Sequence, residues 1–305
     1  MFFKKKIQVV THSGSFHSDD VFAAAVLDLY FKKNNQKHNL TRSTDSDVIN
    51  AADIVFDIGG VYDIESKRFD HHQKGGAGER ENGIPYAAFG LIWKEYGLEL
   101  CDGNVDVWNQ IDKSLVQSID AGDNGINLFE SINKSATPVL VQSLFASLNI
   151  SFDESPSLLD QRFDEASYIA ARYLERTLHQ TKAQQKINDI VKEAYNNSDD
   201  TRLVIMDEAY GRMPLSVAVS AYDKILYFVY PSGRSGAWSV CASRIKSDSF
   251  ESKKPFPEEW RGLRDGQMAE VSGISDTTFC HNSGFLCGAK TKEAAIELAK
   301  KALEA

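Results

Sequence analysis

Ile7-Gln8-Val9-Val10-Thr11-His12-Ser13-Gly14-Ser15-Phe16-His17-Ser18-Asp19-Asp20 is the stretch on which the fold turns. Its first five residues read as a strand, His12 to His17 as the loop leaving it, and Ser18 or Asp19 as a helix cap. Val21, Phe22, Ala25, Val26 and Leu29 then fall on one face at helical spacing. Further on, Ala51-Ala52-Asp53-Ile54-Val55-Phe56-Asp57 reads as a short buried strand ending in an acid, broken by Gly59-Gly60. Arg68-Phe69-Asp70-His71-His72 looks like a further strand end. Strands alternating with helices predict an α/β fold with a doubly wound, mainly parallel sheet. In such sheets ligands gather beyond the carboxyl ends of the strands, where all three groups of acid and histidine would sit.

The chain has 305 residues, enough for two domains. The expected division is 1–198, which carries the three acid and histidine groups and a long helical connector, and 199–305, a smaller α/β domain across a cleft. A composition of 42% hydrophobic and 25% charged residues is that of an ordinary soluble protein. Nothing approaches 18 consecutive apolar residues, which excludes a membrane-spanning helix. The start, Met1 to Lys6, is basic, but Ile7 to Val10 is too short for a signal-peptide core. Cys101, Cys241, Cys280 and Cys287 lack metal-finger spacing; Cys280 and Cys287 flank a loop and read as reduced thiols, which fits a cytoplasmic setting. The net charge of −9 argues against a broad basic face for long duplex nucleic acid. A short anionic substrate stays compatible, because bound divalent ions return positive charge where it matters.

Between these landmarks, Gln73 to Gly83, with Gly75, Gly76, Gly78 and Gly83, reads as a flexible loop beside the clusters. Amphipathic helices are expected over Ala87 to Tyr96 and Val105 to Ile119, the second ending at Asp120-Ala121-Gly122-Asp123-Asn124-Gly125. An apolar stripe from Asp160 to Asn197 predicts one long helix, or two joined near Thr181. The polar run Asn196 to Asp200 marks the boundary, followed by strands at Leu203–Met206, Ile225–Tyr230 and Trp238–Ala242 and a closing helix at Thr291–Leu303.

Four of the seven histidines lie in the two acid-rich clusters. Imidazole nitrogen with carboxylate oxygen suits divalent ions such as Mn²⁺, Zn²⁺ or Fe²⁺. A binuclear site needs one ligand able to bridge, and Asp57, isolated at a strand end between the clusters, is the natural carboxylate for it. His12, His17 and Asp57 could hold one ion; Asp19, Asp57, His71 and an acid from Asp120–Asp123 the other. Gly14 lets the loop fold back so that His12 and His17 converge. Asp20 reads only as an acid favouring the helix dipole. A single His-His pair is more often surface polarity than a site, but three clusters at strand ends rarely coincide.

Thr11 to Asp20, Asp53-Ile54-Val55-Phe56-Asp57-Ile58-Gly59-Gly60 and Phe69-Asp70-His71-His72-Gln73 resemble the DHH phosphoesterase superfamily, and within it the Myg exonuclease family of the melanocyte-proliferating-gene-one type. Asp120 to Ile126, Trp260-Arg261-Gly262-Leu263-Arg264-Asp265, Val271 to Ile274 and His281-Asn282-Ser283-Gly284-Phe285 are similar to it too. The resemblance implies a two-domain α/β fold, a centre preferring Mn²⁺, with Mg²⁺, Zn²⁺ and Fe²⁺ as alternatives, and 3′-to-5′ cleavage of RNA. Two ions per chain are expected. The chain departs from the superfamily where His17 stands in place of an expected aspartate. The acid of the fourth motif is open between Asp120 and Asp123, and similarity favours Asp123.

On this reading His72 would donate a hydrogen bond to the phosphoryl or leaving oxygen, and Asp70 would orient a histidine. Arg244, Arg261, Arg264, His281 and the turn Ser283-Gly284 are candidates for gripping phosphate, because arginine matches phosphate oxygens and a glycine turn admits an anion to backbone N–H groups. Each arginine alone reads as well as a solvated surface residue, and Trp238, Trp260 and Phe285, which could stack a base, are more often core. The expected partner is single-stranded RNA or a short oligonucleotide; the oligomeric state is open, a homodimer included. Three alternatives remain: a pyrophosphatase, a small-oligonucleotide or cyclic-dinucleotide phosphodiesterase, and a non-catalytic metal-containing RNA-binding protein.

Overall fold

In the sheet nearest the N-terminus, β1 (Ile7–Thr11) runs parallel to β2 (His38–Arg42) on one side and to β3 (Ile54–Phe56) on the other. β3 pairs in parallel with β5 (Arg68–Phe69), and β4 (Tyr62–Asp63) closes the edge antiparallel, giving the order β2-β1-β3-β5-β4. The structure, a computed structural model, describes residues 6–233 and 236–305, so all but the last residue of the basic start, Met1 to Lys6, falls outside it.

The β1/β3 register explains why both faces are covered. Val9 is opposite Ile54, and both enter the main core; Val10 is opposite Val55, and both enter a small cluster with Ala52, packed by Ile49 of α2 (Ser46–Ala51). Side chains alternate along a strand, so a parallel sheet with two apolar faces needs a layer on each. The doubly wound, mainly parallel expectation holds. α1 (Ser18–Lys33) is embedded rather than amphipathic: Ser18 through Leu27 are all buried. Its alanines at 23–25 let α3 (Ala88–Ile92) pack closely beside it.

α3 continues through a π turn, Trp93–Gly97, into α4 (Leu98–Leu100), and α5 (Val105–Ile111) continues through a second, Asp112–Val116, into α6 (Gln117–Asp123). Both expected helices therefore run further than their amphipathic pattern suggests. Wide turns of this kind often occur at functional positions. α7 (Val141–Ala146) follows a stretch without regular structure, and α8 (Leu159–Asn196) is one unbroken helix of 38 residues, roughly 57 Å long. There is no joint at Thr181.

The chain divides into two compact units, Met1–Lys182 and Ala183–Ala305, so the division falls inside α8. Phe163, Ala166, Ala170 and Leu174 belong to the core of the first unit, Ile187 and Val191 to that of the second. The second unit holds the sheet β6-β7-β8-β10-β9: β6 (Leu203–Ile205), β7 (Tyr227–Pro231), β8 (Trp238–Ala242), β9 (Thr277–Cys280) and β10 (Leu286–Ala289). Only β6 and β7 are parallel; the other pairs are antiparallel. α9 (Arg212–Ser220) contributes Leu215 and Val219 to one core cluster, α11 (Lys292–Glu304) contributes Leu298 to the other, and α10 (Asp265–Ser272) lies against β9. The hairpin β9-β10 has no clear strand pattern in the sequence, because its strands are short and one contains Gly288. A Cβ there would lie 2.4 Å from Thr278 Oγ1, so the close pairing needs the glycine. All four cysteines are buried free thiols, with Cys280 directly opposite Cys287. Among the described residues no helix is long and apolar enough to cross a membrane.

Candidate metal centre

Three strand ends in the first unit deliver the side chains singled out by sequence. β1 ends at Thr11 and releases His12; β3 ends at Phe56 and releases Asp57; β5 ends at Phe69 and releases Asp70, His71 and His72. Asp57 has φ +56°, a left-handed conformation that aspartate tolerates better than most residues. Such geometry at a cluster of polar groups is characteristic of functional positions.

Asp57 stands between two groups. Its Oδ2 is 3.3 Å from His12 Nε2, and its Oδ1 is 3.2 Å from His71 Nε2 and 3.6 Å from His72 Nδ1. Three sets of side chains lie within metal-ligating reach of one another: His12 with Asp20 and Asp57, Asp57 with His71 and His72, and His17 with Asp19 and Asp123. His71 links the last set to Asp57, with Nε2 3.3 Å from Asp123 and 3.8 Å from Asp19. Asp19 Oδ1, Asp20 Oδ2, Asp57 Oδ1 and His71 Nε2 are buried without an aligned hydrogen bond. Buried carboxylates left in this state are costly unless a cation meets them. The donor set, imidazole with carboxylate, therefore fits divalent ions.

The electrostatics point the same way. Burial raises Asp19 well above the usual carboxylate range, and the charges of Asp57, Asp123 and Asp20 push it further. Burial likewise raises Asp20, against the pull of His12. Burial would lower His12, but its contacts with Asp20 and Asp57 outweigh this and carry it to about 10. Burial also opposes the charge on His71, but Asp57 and Asp123 raise it; Asp57 is lowered, despite burial, by the two histidines. Metal uptake should release at least one proton per chain at neutral pH, since His12 must become neutral to bind, and loading should tighten as pH rises toward 10. Calorimetric titration with Mn²⁺ in buffers of different ionisation enthalpy measures this. Binding with no proton release would show that His12 is not displaced from its acids.

The structure rearranges part of the expected ligand set. His17 sits with Asp19 and Asp123 (Nδ1 to Asp123 Oδ1, 3.9 Å), not with His12 and Asp57, and its side chain is 66% exposed. Asp20 does more than favour the helix dipole. One oxygen accepts the His17 N–H at 3.0 Å and completes the start of α1, while the other faces His12 Nε2, also at 3.0 Å. Sequence pattern misses this because helix-end acids are common; the adjacent pair Asp19-Asp20 is the available signal. Asp120 is turned away from the cluster. It accepts the Gly90 N–H at 3.0 Å and lies 2.8 Å from Arg80 Nη1, an ion pair whose alignment falls short of a hydrogen bond. Arg80 also grips Asp112 through Nε and Nη2, so the glycine-rich loop, expected to be flexible, is tied to the helical run of α5 and α6 by this arginine. Asp123, at the end of α6, is the acid that reaches the histidines.

Asp70 organises its own turn. Its Oδ1 accepts the backbone N–H of His71 and His72 and lies 2.8 Å from His72 Nδ1, while Oδ2 accepts the Gly60 N–H. The His71 side chain is 7% exposed and that of His72 61%. The loop carrying His12 and His17 is held from two sides: Arg42 Nη2 donates to Gly14 O, and the Asn149 side chain bonds both backbone groups of Phe16.

In the second unit Arg261, His281, Ser283 and Gly284 gather at one turn. Arg261 Nε donates to Phe256 O at 2.9 Å, and Ser283 N–H donates to His281 Nδ1 at 3.1 Å. A Cβ on Gly284, which has φ +64°, would lie 2.7 Å from Arg261 Nε. His281 packs on Phe285, and the guanidinium of Arg212, a residue the sequence does not single out, lies 5.2 Å from that ring. Arg244 is engaged with Phe250, Met213 and Ser247 O, and Arg264 stands at the N-cap of α10. Trp260 is core, stacked on Phe256.

The family model described as MYG1_exonuc, Uncharacterised protein family (UPF0160), matches residues 8–303. The MYG1 protein C27H6.8 of Caenorhabditis elegans is 30% identical over 326 residues, covering 96% of this chain and 94% of that protein. The MYG1 exonuclease of Mus musculus is 29% identical over 324 residues, covering 97% and 84%. RecJ of Thermus thermophilus, solved in complex with Mn²⁺, covers 98% of this chain and 52% of its own at 13% identity and a TM-score of 0.29, too distant to bear on function. On a family match that spans nearly its whole length, and with relatives similar from end to end, the chain belongs to the MYG1 exonuclease family.

Proposed function

We propose that this chain is a metal-dependent phosphodiesterase that shortens single-stranded RNA from its 3′ end, using two divalent ions held on either side of Asp57. The observation that carries the reading is the position of Asp57, whose two carboxylate oxygens face different histidines at 3.3 and 3.2 Å. His12 and Asp20 would complete one ion's ligands, and His71 with Asp19 and Asp123 the other's; His17 lies close enough to add to the second. Mn²⁺ is the expected ion. Bound ions supply an activated water and stabilise charge on the phosphoryl oxygens.

The chain's own residues position the strand and manage its protons. Asp70 holds His72 by Nδ1 and the side chain is 61% exposed; its Nε2 would give a proton to the departing oxygen. Arg261, His281, Ser283 and Gly284, with Arg244 and Arg264, would hold phosphates of the strand, so residues 199–305 act as the substrate-binding part and 1–198 as the catalytic part. The four buried thiols support a reducing, cytoplasmic setting.

Mn²⁺-loaded protein incubated with 5′-labelled RNA, 5′-labelled DNA, a dinucleotide and pyrophosphate tests the reading. A ladder of RNA shortened stepwise, with mononucleotides released, is expected. Equal cleavage of pyrophosphate, or internal cuts in a circular RNA, would favour the pyrophosphatase or short-substrate phosphodiesterase instead. In the same assay His72→Ala should lower kcat by roughly 10²–10⁴-fold with metal content intact. Metal loss as complete as in His71→Ala would make His72 a ligand.

A further inference from the structure

Beside the metal centre, the last turn of α6 forms the wall of a cavity of about 460 Å³. Gly122 and Gly125 line it, and Asp123 between them carries the carboxylate that faces His71 and His17. Leu128, Phe129, Val139 and Leu140 form the apolar side, with Asn127 and Gln142 at its polar edge. Gln142 Nε2 donates to Ser118 O at 2.9 Å, and a Cβ on Gly122 would come within 2.7 Å of that nitrogen, so this wall is closely fitted. The turn beyond is fixed by Ile126 N–H donating to Ala121 O at 2.8 Å.

Three features decide what such a cavity takes. Its size lies within the range of about 300–1,000 Å³ typical of small-molecule sites. Among the described residues no charged side chain lines it, so phosphate has nothing to hold it there. Phe129 is 48% exposed, and Leu128 and Val139 are also exposed, so large apolar groups of the lining face solvent. A neutral planar group with hydrogen-bonding edges matches this lining: its face lies on Phe129 and its edge meets the amides. In a nucleotide the charged and the neutral planar parts are joined within one unit. A phosphate at the Asp57–His71–Asp123 cluster therefore carries its base to the neighbouring wall.

We propose that this cavity is a nucleobase site, with Phe129 as the stacking surface, that seats a base next to the phosphodiester being cut. The strand assignment rests on the nuclease reading above; the base site itself can be tested apart from turnover. The full chain is titrated with the fluorescent nucleoside 2-aminopurine riboside, and adenosine and ribose 5-phosphate are used as competitors. Saturable binding is expected, displaced by adenosine and not by ribose 5-phosphate. Phe129→Ala should weaken it about tenfold, the effect of losing one base-on-ring stack, and Val139→Asp, which puts a charge into the apolar lining, should weaken it too, both with unchanged thermal unfolding. No binding by the wild type, equal binding by Phe129→Ala, or displacement by ribose 5-phosphate would overturn the site. If RNA is not cleaved while Phe129-dependent nucleoside binding persists, the nuclease reading fails and the base site stands. If RNA is cleaved and nucleoside does not bind, the reverse holds.

Discussion

With two ions held around Asp57 as proposed, Asp57→Asn should lose at least one of them and lower turnover by roughly 10³-fold or more, the consequence of removing a Lewis acid worth several kcal/mol to the transition state. The substitution keeps the shape of the side chain, and asparagine accepts the left-handed backbone at φ +56° as readily as aspartate, so the fold has no reason to change. What changes is that a carboxamide offers one oxygen and no charge. The oxygen can face His12 or His71, 3.3 and 3.2 Å away in the wild type, but not both. Metal analysis of the purified variant by mass spectrometry, beside single-turnover cleavage of labelled RNA, measures the two effects separately. Full double occupancy would remove the bridge.

The second large effect separates two acids three residues apart on one helix. Asp123→Asn should deplete metal and activity with little change in thermal stability, because its carboxylate lies at the end of α6 facing His71 and His17. Asp120→Ala should do the opposite. It removes one of the two carboxylates that face the largely buried Arg80, leaving Asp112 as its remaining partner, and strips the Gly90 N–H of its acceptor. A buried N–H left without its acceptor costs about 1–3 kcal/mol. Burial raises Asp120 to about 7, and Arg80 with the Gly90 N–H opposes that rise. Chemical denaturation for Asp120→Ala and metal analysis for Asp123→Asn provide the comparison. Metal loss in Asp120→Ala with stability unchanged would reverse the two roles.

The first sheet is legible in the sequence because its signals are local. An apolar run that stops at a polar residue, a glycine break, and an apolar stripe of period 3.6 each need only neighbours in sequence, and they suffice to place His12, Asp57 and His71 at strand ends. The same kind of pattern marks the helical stretch of α8 but leaves open whether it is one helix or two, and the structure has one. The second sheet is harder to read. β9 and β10 are short, and Gly288 is required only because Thr278 and Phe279 come too close across the hairpin for a side chain.

The sequence by itself determined the kind of chemistry, since histidines and aspartates at the ends of parallel strands have one side of a sheet on which to meet. The tertiary structure alone decided which acids face the histidines. Asp19 and Asp20 are consecutive, and Asp120 and Asp123 are one helical turn apart, so spacing cannot rank them. The choice was made by groups distant in the chain. Arg80, from the glycine-rich loop, lies against Asp120 and Asp112, and His12 at the end of β1 faces the Asp20 oxygen that the start of α1 leaves over. A buried carboxylate turns toward whichever positive or donor group the fold brings to it, and that group is set by packing rather than by neighbours in sequence.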